Sequence, residues 1–274
     1  MKITAKTKIC MVIGDPIEHS LSPQIHNAGY EELKIDDQFV FVGCRVKISE
    51  LKNFVDGVRT MGIRGISCTI PHKIEIMKYI DEIDDTAKKI GAVNTIVNDN
   101  GILKGYNTDW LGIVTPIEKI ASIKNKTVAI IGAGGAARAA IYGIIERGGK
   151  VTIFNRTLSN AEKLAKEFGC DSQSLKEIKL VKNMNIIINT TSVGLNNKNE
   201  SPVPKEFISN KHIVFDVVYN PYETKLITDA KEQKAIVIHG TEMLLHQAIG
   251  QFKLYTNIDA PEKIMKDTLF KIIK

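Results

Sequence analysis

The segment with the clearest chemical signature is rich in glycine and reads Gly132-Ala133-Gly134-Gly135-Ala136-Ala137. In such a turn the first glycine permits a tight bend, the second lets the backbone approach a pyrophosphate, and a small third residue lets the next helix pack closely on its strand. The N-terminus of that helix presents free N–H groups and positive partial charge to the phosphates. Because an apolar run precedes the segment and a helical pattern follows it, the sequence predicts a dinucleotide site rather than a plain strand-to-helix turn.

The residues after the next predicted strand indicate which dinucleotide is bound. They are Asn155, Arg156 and Thr157. A site for NAD normally has an acidic residue here that accepts from the ribose 2′-hydroxyl group, whereas a guanidinium binds the 2′-phosphate of NADP through paired hydrogen bonds. Arg156 therefore favours NADP. The alternative is that Arg156 is only a surface residue at the start of the next helix.

A second group of polar side chains lies close to the ends of predicted strands earlier in the chain: Ser20, Ser22, Thr69, Lys73, Asn94 and Asp109. Lys73 follows a strand directly, at the edge where open α/β sheets bind their ligands. Taken singly, these residues have ordinary structural explanations, since Ser22 before Pro23 predicts a helix N-cap and Asn94 suits a turn.

Short apolar runs alternate with amphipathic stretches throughout, which predicts an α/β fold with largely parallel sheets. The predicted strands are 9–13, 39–46, 66–70, 93–97, 128–131, 151–154, 185–188, 213–218 and 235–238. The predicted helices are 23–33, 49–61, one that follows the glycine-rich turn and ends near 147, 159–168, 242–255 and 261–273. Asn100-Gly101 lies between two apolar runs and predicts a hairpin.

The length of 274 residues exceeds that of most single cores, so we expect two domains. The first is expected to be an α/β domain, residues 1–108; the family resemblance given below makes it the substrate-binding domain. The second is a Rossmann-type, doubly wound dinucleotide-binding domain, residues 109–241. The helical residues 242–274 are expected to return and pack against the first domain.

The composition excludes several classes of protein. Hydrophobic residues make up 43% and charged residues 25%, as in ordinary globular proteins rather than disordered ones. The net charge of +6 comes without an arginine-rich stripe and with only 6% aromatic residues, which argues against nucleic-acid binding. Four dispersed cysteines predict neither a disulfide framework nor a metal site. No stretch reaches the ~18–20 apolar residues of a membrane span, so we expect a soluble, cytoplasmic protein without membrane or nucleic-acid partners.

Several motifs together resemble one known family. H-S-L-S-P-x-x-H-N, T-I-P-H-K, G-A-V-N-T, G-Y-N-T-D, G-A-G-G-A-A-R, N-R-T and M-L-L-H-Q-A occur in the order found in shikimate dehydrogenases. The resemblance covers nearly the whole chain, from about residue 13 to 252. It implies reduction of 3-dehydroshikimate to shikimate with NADPH, in a cleft between a substrate domain and a Rossmann domain. It also implies a role in aromatic amino acid biosynthesis.

The resemblance implies a role for individual residues that bind the substrate. Ser20 and Ser22 would hydrogen-bond its carboxylate, and Tyr219 would bind it near the cofactor. The ring hydroxyls would be held by Thr69, Asn94 and Gln247. The reacting oxygen would lie between Lys73 and Asp109, and either of these two residues could be the general base.

The resemblance also implies which residues bind the cofactor. Residues 132–136 would bind the pyrophosphate and 155–157 the 2′-phosphate. Val217 and Gly240 would contact the nicotinamide, and Asp85 matches a position that is sometimes assigned to a cofactor contact. No residue is expected to bind a metal.

Three positions depart from the family pattern. Ser67 replaces a frequent asparagine, Asn160 replaces an arginine of many NADP-using relatives, and residues 240–243 replace a frequent G-x-G-M. The second departure leaves use of NAD open. Two alternatives therefore remain: an NAD-linked quinate/shikimate dehydrogenase, and a non-catalytic NADP-binding regulatory protein. The sequence does not specify the oligomeric state, and a homodimer stays an option.

Overall fold

The computed structural model describes residues 2–195, 197 and 199–273. The chain forms two compact units, the first built from residues up to Thr108 together with Gln247–Ile272, the second from Asp109–His246. The helices are α1 (Ser22–Glu32), α2 (Leu51–Met61), α3 (His72–Glu75), α4 (Asp85–Ile90), α5 (Asp109–Glu118), α6 (Gly135–Glu146), α7 (Leu158–Phe168), α8 (Lys225–Glu232), α9 (Gly240–Thr256) and α10 (Glu262–Ile273). Shorter 3₁₀ segments lie at Ile48–Glu50, Ile76–Lys78, Leu175–Asn183 and Lys205–Phe207.

The first unit contains a mixed six-stranded sheet. Its strands are β1 (Lys8–Gly14), β2 (Phe39–Arg45), β3 (Gly65–Cys68), β4 (Glu82–Ile83), β5 (Thr95–Asp99) and β6 (Ile102–Tyr106), in the order β2-β1-β3-β5-β6-β4. Strand β5 runs antiparallel to both of its neighbours, and the other pairs are parallel. The predicted hairpin is confirmed, because Asn100 and Gly101 join β5 to β6 with φ angles of 55° and 92°.

The second unit contains an all-parallel six-stranded sheet. Its strands are β7 (Thr127–Ile131), β8 (Lys150–Asn155), β9 (Asp171–Ser174), β10 (Ile186–Asn189), β11 (Ile213–Asp216) and β12 (Ile236–Ile238). They lie in the order β9-β8-β7-β10-β11-β12, which is the 3-2-1-4-5-6 order of a dinucleotide-binding fold. The predicted fold class is therefore confirmed. Ligands of such sheets bind beyond the carboxyl ends of the two central strands, here β7 and β10, where the winding reverses.

The core of the first unit contains a cluster of aromatic rings from three elements. His26 and Tyr30 of α1 pack with Phe41 of β2 and with Phe252 and Tyr255 of α9. All five side chains have at most 1% of their surface exposed. The packing explains why the C-terminal residues of α9 belong to the first unit: their apolar side chains complete its core.

Several local predictions differ from the structure. Helix α1 begins at Ser22 itself, with Leu21 at the N-cap position and no side-chain cap, so the predicted Ser22 cap is wrong. The strand predicted at 66–70 is Gly65–Cys68 and that at 93–97 is Thr95–Asp99, which places Thr69 and Asn94 just outside their strands. Strand β9 was not predicted because its sequence, Asp-Ser-Gln-Ser, contains no apolar residue.

In the part of the chain that the structure describes, no helix has the length and apolar character needed to cross a bilayer.

Candidate active site

Asn94 is a buried polar residue of the first unit with several hydrogen-bond partners. Its side chain is 1% exposed, and its Oδ1 accepts hydrogen bonds from the Thr108 N–H (2.8 Å) and from the Thr95 hydroxyl (2.7 Å). Its Nδ2 donates to the Thr108 hydroxyl at 3.0 Å. Since the oxygen accepts from a backbone N–H and from a hydroxyl, and the nitrogen donates to a second hydroxyl, the orientation of the amide group is fixed.

Lys73 lies close to Asn94 along the backbone network. It is the second residue of the short helix α3 and is half-buried, and its carbonyl oxygen accepts from the Val93 N–H at 2.8 Å. Thr69, which follows β3, donates its N–H to the Ile13 carbonyl and accepts from the His72 N–H, both at 2.9 Å. These backbone bonds fix the segment from Thr69 to Lys73 beside the residue before Asn94.

His72 supports this segment from the inside. Its Nε2 lies 2.7 Å from the Val46 carbonyl oxygen, so this nitrogen is protonated and donates the hydrogen bond. Burial lowers the pKa of this imidazole below its usual value. His72 therefore holds the start of α3, which contains Lys73, without a charge of its own.

Ser20 and Ser22 occupy the turn between β1 and α1. The Ser20 hydroxyl oxygen accepts from the Ser22 N–H at 3.4 Å, and Ser22 is 5% exposed whereas Ser20 is half-buried. A depression of about 410 Å³ includes Ser20 and is lined by Ile17, Glu18, Ser20, Pro23, Gln24, Gly43 and Arg45. Its cation, Arg45, forms an ion pair with Asp15 at 2.7 Å. The depression therefore belongs to the Ser20 end of the unit and not to the Lys73 segment.

Asp109 and Gln247 are two further predicted substrate residues. Asp109 is the first residue of α5, belongs to the second unit and is 3% exposed. It directly follows Thr108, which Asn94 holds through both its N–H and its hydroxyl. Gln247 of α9 is 8% exposed and belongs to the first unit.

The glycine-rich turn of the second unit has the geometry that a pyrophosphate needs. Gly132 has a φ of 113°, and a Cβ atom there would lie 2.7 Å from the Thr190 hydroxyl oxygen. Gly134 precedes α6, and a Cβ atom there would meet nothing within 4 Å. Open space above Gly134 and the free N–H groups of a twelve-residue helix fit a dinucleotide. Ala133, Gly135 and Ala136 in the same turn are half-buried.

Asn155, Arg156 and Thr157 lie at and beyond the carboxyl end of β8 in the second unit. The Asn155 Nδ2 donates to the Thr157 carbonyl oxygen at 2.8 Å, which closes the turn. Arg156 and Thr157 are exposed, and Thr157 is the N-cap residue of α7. The turn therefore presents a guanidinium and no carboxylate, which suits a phosphate group.

Val217 and Gly240 come together in the second unit. A Cβ atom at Gly240 would lie 2.6 Å from the Val217 carbonyl oxygen and 2.5 Å from that of Val218, so only glycine fits here. Val217 donates its N–H to the Asn189 carbonyl at 3.1 Å. Tyr219 follows closely, and burial raises the pKa of its phenol.

The buried carboxyl group of Asp216 organises the segment before Val217. It accepts from the Asn189 Nδ2 at 2.9 Å, from the Thr224 hydroxyl at 2.6 Å and from the Val218 N–H at 3.1 Å. Burial raises the pKa of Asp216 to about 6 in spite of these donors. The group links the ends of β10 and β11 to the loop that contains Tyr219.

Comparison with known proteins identifies the family. Three family models match the chain. The model of the shikimate dehydrogenase substrate binding domain matches residues 12–96, that of shikimate / quinate 5-dehydrogenase matches 116–219, and that of the shikimate 5'-dehydrogenase C-terminal domain matches 240–270. The chain belongs to the shikimate dehydrogenase family.

Individual relatives of this family match over nearly their full length. The shikimate dehydrogenase (NADP(+)) of Nitrosopumilus maritimus is 43% identical over 270 residues, which are 96% of this chain and 98% of the relative. A solved shikimate dehydrogenase in complex with NADP+ is 40% identical, with a TM-score of 0.93 and coverage of 99% and 98%. That of Thermus thermophilus, in complex with NADP(H) and shikimate, is 30% identical with a TM-score of 0.90 and coverage of 97% and 99%.

Two residues near the family's motifs were missed by the sequence analysis. Thr190, directly after β10, donates its hydroxyl to the Ile131 carbonyl at 2.7 Å and packs against Gly132. The pair Thr190-Thr191 close behind an apolar strand was a usable signal. Gln251 of α9 is 1% exposed and bonds to Ser67, Thr95 and Asn94, but one glutamine within a helix gives no signal in the sequence.

Asp85 is the predicted cofactor residue with the least suitable surroundings. It begins α4 in the first unit, with 93% of its side chain exposed and an ion pair to Lys88 at 3.6 Å. A depression of about 790 Å³ beside it contains three further acids, Asp81, Glu82 and Asp84. Clustered carboxylates repel phosphates, so Asp85 stays a prediction without further support.

Proposed function

We propose that this protein catalyses the reversible, NADPH-dependent reduction of 3-dehydroshikimate to shikimate. The observation that carries the proposal is the full-length match to relatives at about 40% identity that bear the name shikimate dehydrogenase (NADP(+)). The same reaction makes it an oxidoreductase acting on a CH–OH group, in aromatic amino acid biosynthesis.

The first unit is proposed to bind the substrate. Ser20 and Ser22 hydrogen-bond its carboxylate, as two hydroxyl groups in one turn can. Asn94 holds a ring hydroxyl with the amide orientation that Thr95 and Thr108 impose on it. Thr69 and Gln247 hold the other ring hydroxyls. Tyr219, which belongs to the second unit, contacts the substrate near the cofactor.

Lys73 and Asp109 are proposed to handle the proton. Hydride addition to a carbonyl carbon places negative charge on oxygen, and an ammonium group stabilises that charge and gives up a proton to it. In the oxidation direction, neutral Lys73 or the Asp109 carboxylate accepts the proton of the substrate hydroxyl. Both remain candidates for the general base. The assignment rests on the family's motifs and on the anchoring of each residue within its own unit.

The second unit is proposed to bind NADP, which supplies the hydride when it is bound. The turn from Gly132 through Ala133, Gly134, Gly135 and Ala136 holds the pyrophosphate, because its backbone leaves open space before α6. Arg156, with Asn155 and Thr157, binds the 2′-phosphate. Val217 and Gly240 support the nicotinamide.

The cellular setting is proposed from the cysteines. None of the four cysteines, Cys10, Cys44, Cys68 and Cys170, forms a disulfide bond, which suits a reducing compartment such as the cytoplasm. The partners proposed are the substrate and cofactor alone, and sedimentation would test a homodimer as the solution state.

A spectrophotometric assay at 340 nm tests the proposed function. Shikimate and quinate are each supplied with NADP or with NAD, and kcat/KM is compared across the four combinations. We expect shikimate with NADP to give the highest value. Quinate with NAD as the best pair would instead establish the alternative of an NAD-linked quinate/shikimate dehydrogenase, and no turnover with any pair would favour a non-catalytic regulator.

A further inference from the structure

Gln251 joins two strands of the first unit through one buried amide group. Its Oε1 accepts from the Ser67 hydroxyl at 2.8 Å, and its Nε2 donates to the Thr95 hydroxyl at 3.1 Å and to the Asn94 carbonyl at 3.3 Å. With 1% of the residue exposed, these bonds are made away from water. A buried amide with all these partners is a specific connection rather than a surface contact.

The strand register places this connection beside the proposed substrate residues. Ser67 of β3 and Thr95 of β5 are directly opposite each other in the antiparallel pair. Thr69 follows Ser67 by two residues, and residues two apart in an extended chain point to the same side. Asn94 precedes Thr95. The amide of Gln251 therefore bridges β3 and β5 at the level from which Thr69 and Asn94 project.

A chain of hydrogen bonds leads from Gln251 through the Thr95 hydroxyl to the Asn94 side chain. The Thr95 hydroxyl oxygen accepts a hydrogen bond from Gln251 Nε2, so its own hydrogen points elsewhere, and the hydroxyl donates to Asn94 Oδ1 at 2.7 Å. This bond keeps the Asn94 oxygen facing Thr95, while its NH₂ group donates to the Thr108 hydroxyl at 3.0 Å. A hydroxyl can relay orientation in this way because it donates one proton and accepts others.

Helix α9 contains a third proposed substrate residue. Gln247 precedes Gln251 by four residues, which places both on the same face of the helix, and both are buried. The bonds of Gln251 to β3 and β5 thus also fix the position of Gln247 relative to Thr69 and Asn94 within the first unit.

We infer that Gln251 is a positioning residue for the substrate: through Thr95 it sets the orientation of the Asn94 amide, and it fixes α9 against β3 and β5. The inference rests on the proposed function, because it concerns the same substrate site. Gln251 does not itself touch the substrate. Its effect is specific for the substrate and leaves cofactor binding unchanged.

The experiment compares two variants with one control. Gln251→Met keeps the length of the side chain and removes its donor and acceptor, and Thr95→Val removes the relaying hydroxyl with little change of shape. We expect each to raise the KM for shikimate about tenfold, the effect of one well-made hydrogen bond, with the KM for NADP within twofold. Ala248→Gly, at a buried position of the same helix, is the control for loss of stability and should leave both KM values unchanged.

The double variant and the spectrum of Asn94 separate positioning from simple destabilisation. Because Gln251 acts in part through Thr95, the double variant should have a shikimate KM clearly below the product of both effects. The ¹⁵N-labelled side-chain NH₂ signals of Asn94 should shift in Gln251→Met and stay in place in Ala248→Gly.

Four outcomes would overturn the inference. A shikimate KM in Gln251→Met within twofold of the wild type, or fully multiplicative effects in the double variant, would remove the positioning role while the proposed function stands. A wild-type protein that neither oxidises nor binds shikimate would remove both together. If Gln251→Met does not fold, Thr95→Val with an unchanged shikimate KM overturns the inference by itself.

Discussion

The imidazole of His26 lies flat against the ring of Phe41, with ring centroids 4.2 Å apart and planes 9° apart. No part of the His26 side chain is exposed, and burial lowers its pKa to about 3. The ring therefore acts as a neutral aromatic residue of the core. Its position in the motif H-S-L-S-P-x-x-H-N did not indicate this core role.

This burial predicts how stability depends on pH. His26 has a pKa of about 6.5 in the unfolded chain and of about 3 in the folded chain, so the unfolded chain binds the proton more readily. The contribution of His26 to stability is therefore fully present above pH 6.5 and is lost as the pH falls from 6.5 towards 3. The free energy of unfolding should fall by about 1.4 kcal/mol per pH unit from this group. Urea unfolding at pH 7 and pH 5 should show a smaller difference for His26→Phe than for the wild type. An equal difference in both would refute the assignment, and exposed His19→Gln is the control.

Lys73→Ala should lower kcat at least ~100-fold and change the KM for shikimate little, since the ammonium acts mainly in the transition state. Steady-state kinetics in both directions measure the effect. Lys78→Ala is the matched control, because Lys78 lies five residues further on and forms an ion pair with Glu75 at 2.8 Å. Activity that survives Lys73→Ala nearly intact would exclude the proposed role.

Two glycines of one turn should respond differently to alanine. Gly134→Ala has room for its methyl group and a φ of −97°, so the thermal midpoint should change by less than about 3 °C while the Kd for NADPH rises at least ~10-fold. Gly132→Ala meets Thr190 at 2.7 Å with a φ of 113° and should cost more than about 1 kcal/mol of stability. Calorimetry and fluorescence titration measure the two quantities. Unchanged NADPH affinity in Gly134→Ala would place the pyrophosphate elsewhere.

Arg156→Ala should raise the KM for NADP about tenfold or more and leave that for NAD within twofold, because only NADP has the 2′-phosphate. The exposed Lys163→Ala, on the helix that follows, controls for a general loss of positive charge. Equal effects of Arg156→Ala on both cofactors would show that the guanidinium does not read the 2′-phosphate.

The order of elements in the second unit could be predicted because local signals there agree with the tertiary structure. The glycine-rich turn falls between β7 and α6, and the apolar runs of β7, β10 and β11 form strands that are buried on both faces. Strand β9 escaped prediction because it lies at the edge of the sheet and needs only backbone pairing with β8. Its polar residues follow from that position.

The first unit was less predictable for a physical reason. The Asn100-Gly101 turn predicted the antiparallel pairing of β5 with β6, but the antiparallel pairing of β5 with β3 is one that a run of apolar residues cannot specify. Ser22 lost its predicted capping role because the helix begins one residue earlier than its hydroxyl would require. Gln251 could not be found at all, since its partners are 156 and 184 residues away in sequence.

The first unit takes its core from both ends of the chain. Tyr30, made early in translation, packs against Phe252 with ring centroids 5.1 Å apart, although Phe252 leaves the ribosome more than two hundred residues later. The second unit is continuous, from Asp109 to His246. During synthesis the second unit can therefore complete its core first, because the core of the first unit also needs residues of α9. Until α9 is made, the first unit is the part of the nascent chain on which chaperones would act.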